Sequence, residues 1–204
     1  STFFKELEPF RRKYEILIFH HSRHSWHNPI DLNEQKGNNL LFSGLSEFLE
    51  SYPDAKIGVI TLEYGTDVIH SKKLIHDLGL EHNVHWFPKQ KRKDLMLGIS
   101  LSDLVVAELT GGYNLYGTVI EGLVMGKTVV QSRDIEKFKD SYSGDLHPAL
   151  TIEEYGSFKK ILEEFYNNRE QHVNHAKTGQ LWFNEKIVTP FLSKINEILK
   201  GLKQ

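Results

Sequence analysis

Two basic residues, a pair of glycines and one carboxylate are the residues of this sequence whose types and spacing favour chemistry. Arg23 and Lys36 flank a polar segment after one apolar run, and Gly111-Gly112 follow another. Glycine can adopt positive φ and lets a backbone approach a bound group closely. Arg binds phosphate oxygens through a planar fork and Lys through a point charge. Two such cations beside a glycine turn therefore suit a diphosphate.

The stretch from Asp103 to Val130 supplies the elements that must position this turn. Its composition predicts a buried strand from Leu104 to Ala107, a helix from Leu115 to Met125 and a second strand from Thr128 to Gln131. Such a right-handed βαβ unit places its loop at a helix N-terminus, where an anion is favoured. Glu121 lies in this helix and can accept hydrogen bonds from a ribose diol. The candidate residues of the turn and the start of the helix are Gly111, Gly112, Tyr113, Asn114, Gly117 and Thr118.

Strands and helices alternate through most of the chain, which predicts an α/β fold with a doubly wound, Rossmann-like parallel sheet. The other predicted strands are Glu15 to His21, Ala55 to Leu62 and Asn83 to Phe87. Ligands of such sheets bind at the carboxyl ends of the strands. Gly65, Phe87 and Pro88 join the candidate set because they follow or end two of those strands.

The flanking regions divide the chain into a short leader and one domain. The sequence predicts a linker or surface helix over residues 1–14 and a Rossmann-like domain with a helical C-terminal tail over residues 15–204; the resemblance described below implies that this domain binds a nucleotide sugar. Asn38 is predicted to cap a helix that ends near Tyr52. Thr151 and Glu154 have the spacing of a capping box, and Pro190 is expected to interrupt the tail.

Composition excludes several functional classes. A net charge of −2 and a pI near 6.6 give no electrostatic reason to expect nucleic acid. The absence of cysteine excludes disulfides and thiolate chemistry and favours a reducing compartment. No signal peptide or membrane span is visible, so a cytoplasmic location is expected, with peripheral membrane contact as the alternative. Because the sequence does not begin with Met, an excised fragment is expected.

Four other interpretations of the motifs are weaker. GLVMGKT from Gly122 to Thr128 resembles a Walker A loop, but its spacing is short and it leads from helix into strand. The histidines after the first strand lack a supporting carboxylate pair or cysteine, so no metal is expected. No nucleophile elbow is present for a Ser–His–Asp site. The three tryptophans favour packing over base stacking.

The order of several short motifs resembles the C-terminal domain of the retaining group 1 glycosyltransferases, two-domain enzymes with the GT-B fold. The resemblance covers about Glu15 to Val130 and is carried by Ser22-Arg23, Lys36-Gly37, Gly65-Thr66-Asp67, Leu78-Gly79-Leu80, Asn83-Val84, Ser102-Asp103, Glu121 and Gly126-Lys127-Thr128-Val129-Val130. It implies that Arg23 and Lys36 hold the donor diphosphate and neutralise it as it departs. Glu121 matches the second glutamate of the E-x7-E motif, which binds the donor ribose.

The remaining roles implied by the resemblance concern the base and the sugar. The segment from Phe87 to Lys91 matches the loop whose backbone meets the base, and Gly111 to Tyr116 matches the loop against the sugar and phosphates. The implied substrate is a UDP- or GDP-linked sugar, with no cofactor and no metal. Tyr113 stands where the family has its first glutamate, Gly117 is one residue from the usual glycine, and a longer insert separates Arg23 from Lys36.

The resemblance also implies a partner. Acceptor recognition belongs to an N-terminal domain that this sequence does not contain, so the chain alone is expected to be inactive, and membrane contact is expected only through that absent half. The implied enzyme is a retaining hexosyltransferase of polysaccharide biosynthesis that acts on a glycan or lipid-linked acceptor. Two alternatives are a domain of a nucleotide-sugar 2-epimerase and a non-catalytic, doubly wound binding or signalling module.

Overall fold

The structure, a computed structural model, describes residues 2–27 and 34–202. Its first half contains α1 (Thr2–Lys13), β1 (Ile16–His20), α2 (Asn38–Ser51), β2 (Ile57–Glu63), α3 (Val68–Asp77), β3 (Val84–Pro88), α4 (Arg92–Leu101) and β4 (Leu104–Val106). Its second half contains α5 (Gly117–Val124), β5 (Thr128–Gln131), α6 (Ile135–Phe138), β6 (Leu150–Thr151), α7 (Ile152–Tyr155), α8 (Phe158–Asn167), α9 (Arg169–Phe183) and α10 (Thr189–Gly201).

The six strands form one sheet in the order β3-β2-β1-β4-β5-β6, and every neighbouring pair is parallel. Ile18 of β1 is in register with Val59 of β2 on one side and with Leu104 of β4 on the other. Parallel neighbours require crossovers, and the intervening helices supply them. The prediction of a doubly wound, Rossmann-like sheet with a helical tail is confirmed.

Side chains of β1 alternate between two helical layers, as the pleat of a strand requires. Ile16 and Ile18 enter a core that contains residues of α2, α3 and α8. Leu17 and Phe19 enter the opposite core, which contains residues of α1 and α4. A third cluster packs α5 and α9 against β5. Burial on both faces explains why β1 is an uninterrupted apolar run.

The two ends of the described chain are helical. In α1, Phe3 and Leu7 are buried, so this helix is packed into the domain on one face. In the tail, α9 continues through a π-helical turn at Asn184–Val188 into α10, and Pro190 lies at the start of α10. The expected interruption at Pro190 is therefore wrong: the helical backbone continues through this residue, and the hydrogen-bond pattern changes to a π-helical turn just before it. None of the helices in the described ranges has both the length and the apolar character of a membrane span.

Two capping predictions need correction. Helix α2 begins at Asn38 itself, with Gly37 in the cap position, and the Asn38 side chain is buried. Thr151 does cap a helix, since its hydroxyl accepts from the Glu154 amide, but that helix is the short α7. Ser157 caps α8 separately. The pairing of β6 with β5 was not predicted, because two residues carry too little periodicity to indicate a strand.

Candidate functional site

Lys36 lies at the carboxyl edge of the sheet, against the loop that follows β4. Its Nζ is 2.9 Å from Oε1 of Glu108, and both side chains are largely buried. The backbone fixes the same approach, since Leu109 N donates to Lys36 O at 3.0 Å and Thr110 Oγ1 donates to Gln35 O at 2.7 Å. Two chain segments far apart in sequence are thereby joined, and the ammonium group contacts a residue that lies three positions before Gly111.

Arg23 lies close to the same acid. Burial raises the pKa of Glu108, while the Lys36 ammonium and the Arg23 guanidinium act in the opposite direction. Arg23 is also 3.9 Å from a carboxylate oxygen of Glu34, a loose contact between partly exposed side chains. The structure therefore pairs Lys36 directly with Glu108 and places Arg23 within electrostatic range of the same acid. Part of the polar segment between them, residues 28–33, lies outside the described residues.

A turn after β2 supports the Arg23 loop. Gly65 has φ of 120°, and a Cβ there would lie 2.3 Å from the backbone oxygen of His24. His24 N donates to Tyr64 O at 2.7 Å, and Asp67 N donates to His24 O at 3.0 Å. Asp67 Oδ2 in turn accepts from the backbone amide of Trp26 at 2.6 Å. Gly65 thus permits the close packing of two loops, and this packing supports the backbone next to Arg23.

Beneath this loop lie two histidines that burial keeps neutral. His20 bonds the Val106 carbonyl through Nδ1 at 2.9 Å and the Asn38 amide through Nε2 at 2.8 Å, and burial lowers its pKa to about 4. His24 contacts the hydroxyls of Ser71 and Thr61 at 2.8 and 3.0 Å. Burial lowers the pKa of His24 to about 3. These contacts tie the end of β1 to both neighbouring strands.

The glycine turn after β4 has the predicted backbone conformation. Gly111 and Gly112 have φ of 88° and 61°. Gly112 N donates to Ser132 Oγ at 3.0 Å, and Asp134 N donates to Gly112 O at 2.9 Å. The segment after β5 therefore holds the turn in place from one side.

The remaining candidates of the turn surround the start of α5. The Tyr113 side chain is exposed, and its backbone amide donates to the hydroxyl of Tyr116 at 3.1 Å. Asn114 is buried, and within the described residues its Oδ1 has no hydrogen-bond partner. Gly117 begins α5 with open space around it, and Thr118 follows it in the first turn. The first amides of a helix lack intrahelical acceptors, so this end can receive an anion.

Glu121 is buried one turn into α5 and is held by two basic side chains. Its Oε2 accepts from His21 Nε2 at 2.6 Å and its Oε1 accepts from Arg92 at 3.0 Å. Burial alone raises the pKa of Glu121, but these two partners outweigh it, and the net pKa lies below its ordinary value. Glu121 is therefore an ionised acceptor between the end of β1 and the start of α4.

Phe87 and Pro88 end β3, four residues before Arg92. The Phe87 ring packs edge-on against Phe3 of α1, with ring centroids 5.3 Å apart, so its backbone is the part left for a ligand. Pro88 is exposed. Because Arg92 reaches Glu121, the segment from Pro88 to Arg92 returns from the edge strand toward α5.

The histidines near β1 have separate partners. His20, His21 and His24 bond to different groups, and the His27 ring stacks on His70 with centroids 3.9 Å apart. Among the described residues, no group of three or more His, Cys, Asp or Glu side chains could hold a metal ion.

Sequence reasoning missed three members of this site: Glu108, His21 and Arg92. Glu108 directly follows one predicted strand and His21 is the last residue of another, so their position at the carboxyl edge was a usable signal. Arg92 lies among several basic residues, Lys89, Lys91, Arg92 and Lys93, and nothing local distinguishes it from them.

Comparisons with known proteins give a structural likeness only. No family model and no curated protein matches the chain. The glycosyltransferase HepE (Alr3699) of Anabaena, solved with UDP and glucose, superposes with a TM-score of 0.68 at 16% identity over 98% of this chain and 53% of its own. A glycosyltransferase from Rickettsia africae gives 0.66 at 17% identity, over 100% of this chain and 52% of its own.

A third structure is a domain by itself. The C-terminal domain of the group 1 glycosyltransferase LpcC from Francisella tularensis gives a TM-score of 0.56 at 18% identity, over 85% of this chain and 86% of its own. The chain thus spans about half the length of HepE and of the Rickettsia enzyme. At these identities the likeness establishes architecture: the chain has the Rossmann-like fold of a GT-B glycosyltransferase domain.

Proposed function

We propose that this chain is the donor-binding domain of a retaining glycosyltransferase and binds a nucleoside-diphosphate sugar at the carboxyl edge of its sheet. The observation that carries the proposal is the convergence of Arg23 and Lys36 on Glu108, beside a glycine turn that opens α5. The ionised Glu121 lies on the same helix. HepE, whose fold this chain shares, was solved with UDP and glucose.

Each group has a distinct role in this scheme. Lys36 leaves its pairing with Glu108 for the diphosphate, whose greater negative charge competes for the ammonium. Arg23 and the first amides of α5 complete the anion site. Glu121 accepts from the ribose hydroxyls, and the backbone from Phe87 onward meets the base. As the bond to the sugar breaks, the cations neutralise the departing diphosphate, so no metal is needed.

The enzyme class and its missing parts are inferred in the same way. The match to most of the LpcC C-terminal domain supports a C-terminal position in a two-domain enzyme. Acceptor groups then come from an N-terminal domain, and the chain alone binds donor but does not transfer sugar. A hexose donor, a glycan or lipid-linked acceptor in polysaccharide biosynthesis, and a cytoplasmic location complete the proposal.

Calorimetric titration with UDP, GDP and UDP-glucose tests this function. We expect saturable binding of at least one, weakened about tenfold or more by Lys36→Ala or by Arg23→Ala, because each removes a charge-assisted hydrogen bond. Lys56→Ala is the matched control, since Lys56 is an exposed lysine that precedes β2 at the opposite edge of the sheet. Absence of heat with every nucleotide, or equal weakening by Lys56→Ala, would contradict the proposal.

A further inference from the structure

A cavity lies at the β6 edge of the sheet, and none of the residues that line it belongs to the proposed donor site. Its volume is about 390 Å³, within the range of small-molecule sites. Residues from both ends of β5, the segment before β6, α7 and α9 line it. The titratable side chains among them are Lys127, Arg133, His147, Glu154, Tyr155, His172 and His175.

Arg133 is the unusual member of this lining. Its side chain is buried, with 7% of the residue exposed. One guanidinium nitrogen donates to the His147 carbonyl at 2.8 Å, but Nε has no hydrogen-bond partner within the described residues. No described carboxylate lies within ion-pair distance of Arg133 either. A guanidinium stays charged in proteins, and Glu154 and Glu153 attract this one only from beyond ion-pair distance.

His147 lies beside this guanidinium. Its Nε2 is 2.8 Å from the Gln131 side-chain amide and 3.4 Å from a guanidinium nitrogen of Arg133. Burial lowers the pKa of His147 to about 3, so the ring is neutral. The positive charge at this end of the cavity therefore belongs to Arg133, and the imidazole beside it is neutral.

The charges around Arg133 favour a negative ligand. Lys127 also lines the cavity; its ammonium donates to the carbonyls of Ser100 and Ser102, both at 2.8 Å, and Asp103 attracts it. Glu154 is the acid of the lining, and it attracts Arg133 without reaching ion-pair distance. Glu153 is already bound to Ser132 Oγ and to the Arg133 amide. Near Arg133 the cavity therefore has a positive charge that no described acid of its lining pairs with directly.

We infer that this cavity is a binding site for a small oxyanion, a carboxylate or a phosphate, which accepts from the Arg133 guanidinium beside His147. A phosphate or carboxylate oxygen pair matches the fork of a guanidinium. This site does not depend on the proposed donor function. The residues that hold the two ligands are different, so each site can fail alone.

Thermal unfolding of the full chain in increasing sodium phosphate, sodium succinate or sodium chloride at matched ionic strength tests the site. We expect phosphate, succinate or both to raise Tm saturably, and chloride not to do so. Arg133→Gln should raise the anion concentration needed for half of the Tm shift about tenfold or more, because it removes a charge-assisted hydrogen bond. Lys36→Gln removes one charge at the donor site and should leave the Tm shift unchanged. This variant therefore distinguishes an anion in the cavity from phosphate bound at the donor site.

The inference is overturned if neither oxyanion gives a saturable rise in Tm, or if Lys36→Gln abolishes that rise and Arg133→Gln does not. Should Arg133→Gln fail to fold, the imidazole nitrogen signals of the unmodified chain replace it. Phosphate or succinate should then move the His147 signals and leave those of exposed His82 in place; unmoved His147 signals overturn the site.

Discussion

The two edges of the sheet hold charged residues in opposite ways. At the amino edge, Asp103 accepts from the Leu17 amide at 2.8 Å, from Arg169 at 2.8 Å and from Arg11. Arg11 donates further to the Tyr14 and Glu15 carbonyls. Every oxygen of this acid has a donor, and the contacts join α1 and α9 to β1. The amino edge is complete as it stands.

At the carboxyl edge, by contrast, several buried polar atoms lack hydrogen-bond partners. Six buried polar side-chain atoms lack a hydrogen-bond partner within the described residues: His21 Nδ1, Ser22 Oγ, Asn114 Oδ1, Gln131 Oε1, Arg133 Nε and His147 Nδ1. All lie in the segments that follow β1, β4 or β5, at the last residue of β5, or in the segment that contacts it. Buried unpaired groups are costly, so their restriction to one edge agrees with the ligand sites proposed there. The two proposals therefore assign stabilisation to the amino edge and binding to the carboxyl edge.

The largest expected effect is acid destabilisation through the carboxyl edge. The pKa of His20 is lowered to about 4, and those of His24 and His147 to about 3. Below pH 6.5 the unfolded chain therefore binds protons that the folded chain does not, and stability falls with pH. Each histidine costs about 2 kcal/mol between pH 7.5 and 5, or about 6 kcal/mol together. Urea unfolding at pH 7.5, 6.5 and 5.5 measures this loss.

Variants assign that loss to the buried rings. His24→Gln should reduce the slope of unfolding free energy by about 1.4 kcal/mol per pH unit, because one buried imidazole no longer titrates. His82→Gln, at an exposed histidine, should leave the slope unchanged. Equal slopes in all three proteins would contradict the assignment.

Asp103→Asn is expected to give the next largest loss of stability, about 3 kcal/mol. An asparagine side chain has one oxygen to accept hydrogen bonds, and its NH2 group would face another donor, either a guanidinium or the Leu17 amide. At least one of these donors would lose its acceptor. Urea unfolding at pH 7.5 measures the loss, with Glu136→Gln on exposed α6 as the control. Nucleotide affinity of the folded protein should not change, and a large loss of affinity would break the comparison.

Glu121→Gln is the matched substitution at the other edge, since the Asp103 and Glu121 side chains are 11% and 10% exposed. His21 can move its proton to the unpartnered Nδ1 and accept from the new amide, so stability should fall by less than about 1 kcal/mol. UDP affinity should fall about tenfold, because a ribose diol loses its ionised acceptor. Calorimetry and urea unfolding on the same samples give both values; a stability loss like that of Asp103→Asn would erase the difference between the edges.

Arg92→Ala should have the smallest effect. Its side chain is 72% exposed, and exposed ion pairs contribute little. We expect a change in unfolding free energy within about 0.5 kcal/mol. Nucleotide affinity should stay within about threefold, because Glu121 remains ionised beside His21. A loss of affinity as large as that of Lys36→Ala would instead make Arg92 part of the anion site.

The architecture was predictable because its signals are local. The apolar run of β1, the glycines after β4 and the amphipathic α8 each predict an element without knowledge of its neighbours. Asn38 shows the limit of this reasoning. Its type suits a helix cap, but the partners that decide its place, His20 and the Ser25 amide, lie on another element. Tertiary contacts override such local preferences.

The candidate site was also predictable only in part. Arg23 and Lys36 were named from residue type and position after a strand, and Glu121 from its position in the helix after the glycine turn. Their assignment to a donor nucleotide stays a prediction. The pairing of Lys36 with Glu108 was not predictable, because it joins residues 72 positions apart that share no periodic pattern. Arg133 and His147 belong to irregular segments whose burial only the folded chain reveals.

The all-parallel order of the sheet has a consequence for how the chain reaches this state. Neighbouring strands are never joined by a tight turn, so no hairpin can nucleate the sheet, and β1 must wait for β4, more than eighty residues later, before its second side is covered. Long loops must close before these contacts form, which places such topologies among the slower folders. During synthesis the apolar β1 therefore remains without its full set of neighbours until residues 104–106 have emerged.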